Sequence, residues 1–149
     1  MIDNLKRNSF LKISIGIVYL WFGALKFFPE LSPAEGLATD TIAELTLGTI
    51  PASIAIVLLA FIEVIIGLCF LLNSYTKKIA FAALAHLACT FTPLLFFYDI
   101  SFNGYPIFLT LVGQYIIKNL IIVAALLSII KGEDAQLRSA KILKNQKKG

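Results

Sequence analysis

Residues 52–72 read ASIAIVLLAFIEVIIGLCFLL, an apolar run that contains a single charged residue, Glu63. An α-helix rises 1.5 Å per residue, so about 20 such residues cross the ~30 Å hydrocarbon core of a bilayer. Within lipid, one segment satisfies its own backbone hydrogen bonds only as a helix. The run therefore predicts a transmembrane helix.

Three further apolar runs of similar length lie at about 10–28, 79–98 and 108–130. The chain has 149 residues, of which 58% are hydrophobic and 15% charged, and its mean hydropathy is +0.85. Soluble domains carry about 25% charged residues. We predict an all-α protein, a four-transmembrane-helix bundle that forms a single membrane domain over 1–149. A secretory signal peptide is the alternative for the first run, but no small-residue cleavage site follows it.

Basic residues cluster at alternate ends of the four runs, and this pattern predicts the orientation. Loop 30–49 has four acidic residues and no basic one, and the last loop offers only Asp99. We predict both termini and a basic tail, 131–149, on the cytoplasmic side of a bacterial-type inner membrane. The basic residues on this side are Lys6, Arg7, Lys12, Lys77, Lys78, Lys131, Arg138, Lys141, Lys144, Lys147 and Lys148.

The net charge of +4 raises the question of an anionic partner. The basic tail directly follows a span, where lysines are attracted to anionic lipid. No interleaving of basic and aromatic residues points to nucleic acid. As partners we expect the lipid bilayer together with other membrane or periplasmic protein subunits or self-association, and no nucleic acid. Within the first outer loop, 39–47 lacks Pro and Gly and predicts a short interfacial helix, either a lid or a spacer.

Six polar residues fall in or at the edge of the spans, where ionisable groups cost at least ~2.5–3.5 kcal/mol each. They form the candidate buried polar site: Lys26, Glu63, His86, Gln114, Lys118 and Asn119. Counted from the outer ends of their spans, Glu63 lies ~16 Å deep and Lys118 ~15 Å deep. Equal depth predicts an ion pair between them, with Gln114 one turn outward on the same face.

The predicted Glu63–Lys118 pair has two interpretations, one structural and one functional. It can hold the bundle together, often with a small net gain in stability. It can also form part of a proton relay, a quinone-headgroup pocket or a docking point for another subunit.

Lys26 either snorkels to the headgroups or turns inward to meet Glu63. His86 forms a polar stripe with Thr90, as a packing element or as a ligand.

Cofactor and thiol chemistry have little support in the sequence. His86 is the one histidine of the chain, which excludes bis-His haem within it. Cys69 and Cys89 differ by ~10 Å in depth, too far apart for a disulfide. No metal-ligand spacing is present, so we expect no metal site and no self-contained catalytic motif. Trp21 and the Phe pairs at 27–28 and 96–97 predict an aromatic belt or, alternatively, a quinone slot.

Three segments resemble the DoxX-like membrane proteins, including the DoxX/DoxD and YkgB-like branches. They are GIVYLWFGALKF at 16–27, FIEVIIG at 61–67 and GQYIIKNL at 113–120, and the similarity covers about 10–131. The resemblance implies a four-helix membrane bundle associated with redox functions, in which Lys26, Glu63 and Lys118 are recurring positions. Some members are linked to thiosulfate:quinone oxidoreduction and others to thiol or superoxide defence.

The sequence leaves two main functions open. The first is a redox-associated, quinone-interacting membrane subunit that acts with a partner protein, for which the resemblance is the main support. The second is a non-catalytic accessory subunit that stabilises a larger membrane complex. A transporter would need more polar residues along a continuous path. Gly16, Gly23 and Gly67 can allow close helix approach, either within the bundle or between copies.

Overall fold

Four helices of membrane length and three short helices make up the protein in a computed structural model, which describes residues 2–28, 31, 35–105 and 107–146, with side chains from residue 8 onward. The long helices are α1 (Ile2–Leu25), α3 (Ala52–Leu71), α4 (Thr76–Phe91) and α7 (Leu111–Gln146). The short ones are α2 (Glu35–Leu45), α5 (Pro93–Phe96) and α6 (Tyr98–Ser101). The predicted all-α class and its four membrane-length apolar helices are confirmed.

The observed helices differ from the predicted spans mainly at their ends. The third span consists of α4 followed by α5, with Thr92 between them. The helix is interrupted at this point because Pro93 lacks the N–H that an unbroken helix needs. The fourth helix continues to Gln146, so most of the predicted basic tail is helical. Its 36 residues are ~54 Å long, well beyond one bilayer core. Tail residues 147–149 and the joint prolines Pro29, Pro33 and Pro106 lie outside the described residues.

The predicted helix of the first outer loop is present as α2, which begins earlier than the pattern indicated. It packs on α3 and α5, and its Thr41 is buried. The Thr41 hydroxyl donates to the carbonyl of Leu37 at 2.6 Å within the same helix. α2 therefore lies against one end of the bundle, which we call the acidic-loop end. The opposite end, with Lys12, Lys77 and Lys78, is called the basic end.

The four long helices form a ring in which each packs on two neighbours. α1 contacts α3 and α7, and α4 contacts α3 and α7, while α3 and α7 share no comparable contact among the described residues. α3 and α7 therefore stand at diagonal corners. The core fills the half of the bundle toward the basic end with apolar side chains from all four helices: Ile15, Tyr19, Ile66, Phe70, Ala80, Ala83, Leu87, Leu126, Ile129 and Ile130.

Large apolar side chains cover the outside of this ring. On α3, for example, Leu58, Phe61 and Ile65 are each about half exposed. A soluble monomer rarely exposes contiguous apolar surface on this scale, whereas a bilayer is its ordinary surrounding. The chain is a multi-pass integral membrane protein.

Candidate functional site

The polar residues of the bundle centre are positioned by a close contact between α1 and α3. A Cβ on Gly67 would lie 2.6 Å from the backbone nitrogen of Leu20, and a Cβ on Gly23 would lie 2.8 Å from Cβ of Glu63. Only glycine leaves room for two helix backbones at this separation. The glycines predicted to allow close approach do so within the bundle. As a result, Glu63 faces α1 directly.

Glu63 forms an ion pair with Lys26, which follows the last residue of α1. Lys26 Nζ donates to Glu63 Oε2 at 2.6 Å, and the two side chains are only 10% and 9% exposed. The α1 helix has already ended at Leu25, so the long lysine side chain reaches back into the bundle. Of the two orientations open to Lys26 from the sequence, the inward one is observed.

His86 on α4 lies on the other side of the Glu63 carboxylate. Its Nε2 is 3.3 Å from Glu63 Oε1, and the ring is 11% exposed. Despite this short distance, the direction of approach does not make a hydrogen bond, and Nε2 is a buried polar atom without one among the described residues. α4 begins at Thr76, so His86 lies ~15 Å along its helix, at the mid-depth that Glu63 also occupies.

Tyr19 extends this polar chain into the core. Its hydroxyl lies 3.2 Å from His86 Nδ1 and 3.3 Å from the carbonyl oxygen of Ala83, to which it can donate. The tyrosine and histidine rings meet edge to face, with centroids 5.5 Å apart. Tyr19, His86, Glu63 and Lys26 therefore form one continuous cluster across α1, α3 and α4, hereafter the polar cluster.

Proton placement in the polar cluster follows from which atoms face one another. A bare imidazole nitrogen and a carboxylate oxygen both present lone pairs, so the 3.3 Å contact between His86 Nε2 and Glu63 Oε1 is favourable when one of them holds a proton. Lys26 neutralises the carboxylate from the other side. One proton on His86 or Glu63 therefore makes this close contact favourable, although its direction makes no hydrogen bond.

The other half of the predicted site lies elsewhere, and the predicted Glu63–Lys118 pair is wrong. Lys118 is exposed on α7, with its Nζ 5.2 Å from the ring centre of Tyr115. Gln114 is also exposed, and Asn119 is half-buried on the same helix. α7 stands diagonally across the ring from α3, so equal depth does not bring Lys118 to Glu63.

Tyr19 is the member of the polar cluster that was not predicted from the sequence. It precedes Lys26 by seven residues, which is close to two helical turns, and therefore shares a face with it. The same spacing relates Gly16 to Gly23 on α1. The sequence could have predicted Tyr19 in the cluster, because one face of α1 carries two glycines, this tyrosine and the lysine. Glycines mark the side of a helix that a neighbouring helix covers.

The cysteines and the acidic residues do not extend the site. Cys69 and Cys89 are free thiols, and Cys89 is exposed. Within the part of the chain that the structure describes, no three His, Cys, Asp or Glu side chains cluster as metal ligands would.

Comparison with models of protein families, with curated proteins and with solved structures gives no match. The family of this chain is therefore not identified by these comparisons.

Proposed function

We propose that the chain is a redox-associated membrane subunit that interacts with a quinone and acts with a partner protein. The polar cluster would be the contact point for the quinone headgroup. The partner would supply or accept the electrons, because the sequence carries no redox-cofactor motif of its own. The resemblance of segments 16–27, 61–67 and 113–120 to DoxX-like proteins supports the same class of function.

The observation that carries this proposal is the missing hydrogen bond, within the described part of the structure, at the buried Nε2 atom of His86. Its Nε2 is buried without a hydrogen bond among the described residues, although a carboxylate lies 3.3 Å away. An unsatisfied buried polar atom costs roughly 1–3 kcal/mol. If the cluster only stabilised the bundle, the Lys26–Glu63 pair would be sufficient, and the unsatisfied His86 Nε2 would add a cost without a benefit. A ligand that hydrogen-bonds Nε2 would remove this cost.

A quinone headgroup fits the donor set of the polar cluster. Its carbonyl oxygens accept hydrogen bonds, which a protonated His86 Nε2 can donate. When bound, a quinone supplies two-electron, two-proton redox chemistry. The chain's own residues would orient the headgroup at His86, keep water away through the apolar helix faces, and exchange a proton between His86 Nε2 and Glu63 Oε1. Lys26 would hold Glu63 in place through its ion pair.

The test is the quinone content of the purified full-length protein. We expect quinone to co-purify in mild detergent, and we expect His86→Gln to retain at least about tenfold less, the effect of one lost hydrogen bond worth ~1.4 kcal/mol. Thr90→Val is the matched control, because the Thr90 hydroxyl donates to Leu87 on the same helix, one turn from His86. No quinone in the native protein, or equal retention in both variants, would rule out the proposal.

An accessory role is the second candidate, and the exposed polar face of α7 favours it. Lys118 lies about seven residues, or ~10 Å, from the start of α7 and points away from the bundle. A lysine facing lipid at this depth is costly, whereas a carboxylate on a partner helix would stabilise it. Glu63, the acidic residue of this chain at similar depth, is already paired with Lys26.

The two candidates predict different companions in the same purification. A stoichiometric membrane protein that is lost on Lys118→Met, without any quinone, would favour the accessory role. Quinone retained in Lys118→Met and lost in His86→Gln would favour the redox role.

A further inference from the structure

A second polar site lies at the basic end, far from the polar cluster. It is a shallow cavity of about 350 Å³, formed where α1 near Lys12, the turn between α3 and α4, and α7 meet. Three lysines line it: Lys12, Lys77 and Lys78. Glu133 is the one acidic residue of the lining, so the lining carries two excess positive charges. Asp134, which pairs with Lys77, leaves one of them uncompensated.

Lys12 is the fixed part of this cavity. Its Nζ donates to Glu133 Oε1 at 2.6 Å and to Asn73 Oδ1 at 2.8 Å, and its side chain is only 11% exposed. These contacts tie α1 to the turn and to α7. Thr76 adds a hydroxyl that donates to the same Asn73 oxygen at 3.2 Å. Hydrogen bonds therefore connect the walls of the cavity to one another.

Lys78 is the free part of the cavity. It is exposed and forms no ion pair with the described residues, and its Nζ lies 5.8 Å from the centre of the Tyr75 ring. By contrast, Lys12 and Lys77 are both paired with carboxylates. One ammonium without a described ion pair, beside two that are partly neutralised, gives the cavity a net positive charge. This charge favours the binding of an anion.

The position of the cavity along the bundle identifies the kind of anion. Glu133 lies 22 residues, or ~33 Å, from the start of α7 at the acidic-loop end. This distance is one hydrocarbon thickness, so the cavity lies at the level of the headgroups on the basic end. The basic residues predict that this end faces the cytoplasm, where the leaflet is anionic.

We infer that this cavity binds the phosphate group of an anionic phospholipid. The phosphate would accept hydrogen bonds from the Lys78 ammonium and from the free N–H groups of Lys12 or Lys77, while the acyl chains lie along the exposed apolar surface of the bundle. Free inorganic phosphate shares this chemistry, but the headgroup depth of the cavity favours the lipid. The inference does not depend on the function proposed for the polar cluster.

The test measures the thermal unfolding midpoint of the full-length protein in detergent while lipid is added. Phosphatidylglycerol should raise the midpoint saturably, and phosphatidylcholine with the same acyl chains should not. Lys78→Gln should weaken the apparent affinity for phosphatidylglycerol about fivefold, as expected from one lysine near an anionic surface, and Lys78→Arg should restore most of it. Lys141→Gln, which removes a charge from exposed tail outside the cavity, should bind like the native protein.

Two results would overturn the inference. One is equal stabilisation by the two lipids. The other is a loss of affinity in Lys141→Gln as large as that in Lys78→Gln, which would mean that lipid responds to overall charge and not to the cavity. Stabilisation by inorganic phosphate at concentrations where phosphatidylglycerol has no effect, with the same dependence on Lys78, would overturn the lipid assignment and identify free phosphate as the ligand.

Discussion

Lys26 and Lys118 are two lysines within reach of the membrane interior, and their side chains have opposite orientations and burial. Lys26 turns inward, is nearly buried and pairs with Glu63 at 2.6 Å. Lys118 points outward from α7 and rests over the Tyr115 ring. Both residues are lysines, and the buried one, Lys26, is the one that lies nearer the end of its helix, so neither residue type nor depth explains the difference. The neighbouring helix does, because α1 faces α3 whereas α7 lies diagonally across from it.

The choice of neighbour can be traced to small residues. Gly16, Gly23 and Gly67 let the α1 and α3 backbones touch, so α3 presents Glu63 to α1 and to nothing on α7. α7 has two glycines of its own: a Cβ on Gly113 would meet the Ser101 carbonyl oxygen of α6, and a Cβ on Gly132 would meet the Asn8 side chain of α1. Close helix approach therefore selects which lysine becomes the partner of Glu63.

The largest effect should follow from breaking the Lys26–Glu63 pair. Glu63→Leu leaves the Lys26 ammonium buried without its counter-charge, and removal of one partner from a buried pair typically costs about 3–5 kcal/mol. Denaturant-induced or SDS-induced unfolding in micelles would measure this loss. The expected free energy of unfolding falls well below that of the native protein, and an unchanged value would show that Lys26 escapes to water at no cost.

Widening the α1–α3 contact should have the next largest effect. In Gly67→Ala the new methyl group must enter a space where the Leu20 nitrogen lies 2.6 Å away, and overpacking of this kind costs about 1–3 kcal/mol. Gly36→Ala is the control, because a Cβ on Gly36 meets nothing within 4 Å. The same unfolding assay should show a loss for Gly67→Ala and no loss for Gly36→Ala. Equal behaviour of the two variants would contradict the close contact.

A smaller effect is expected for Lys118. Lys118→Met removes an exposed ammonium whose one described contact is the Tyr115 ring, so the free energy of unfolding should change by no more than about 0.5–1 kcal/mol. Unfolding of the isolated chain is the measurement. A loss comparable to that of Glu63→Leu would mean that Lys118 has a buried partner after all.

The smallest effect should come from the half-exposed pair at the basic end. Lys77 Nζ and Asp134 Oδ1 are 2.5 Å apart, but both side chains are about 40% exposed. Exposed ion pairs contribute about 0–1 kcal/mol and are screened by salt. Asp134→Asn should therefore alter stability slightly at low ionic strength, and the difference should vanish in about 1 M salt. A difference that persists in high salt would indicate a buried interaction.

Much of the fold could be predicted because hydropathy and length constrain a membrane helix directly. The run 52–72 corresponds to α3 almost residue for residue, and the helical loop segment corresponds to α2. The extension of α7 to Gln146 was missed for a physical reason. Hydropathy marks where a helix leaves the bilayer near Lys131, whereas the helix itself ends where its backbone hydrogen bonds end. Glu133 and Asp134 then tie the extension to Lys12 and Lys77.

The site was predictable only in part. Depth along a helix is read from residue number, so Glu63 and His86 were recognised as polar groups of the membrane interior. The rotation of each helix and its neighbours are set by packing among four helices, and the Glu63–Lys118 prediction failed at that step. Tyr19 was overlooked because a tyrosine in an apolar segment is ordinary until His86 is placed 3.2 Å from its hydroxyl.

A double-mutant cycle on Glu63 tests the central claim most directly. The variants Glu63→Leu, Lys26→Met and the double variant give the coupling free energy of one pair, and Lys118→Met in place of Lys26→Met gives that of the other. We predict a coupling of at least about 1 kcal/mol between Glu63 and Lys26, and none between Glu63 and Lys118. Coupling of Glu63 to Lys118, with none to Lys26, would contradict the polar cluster described above.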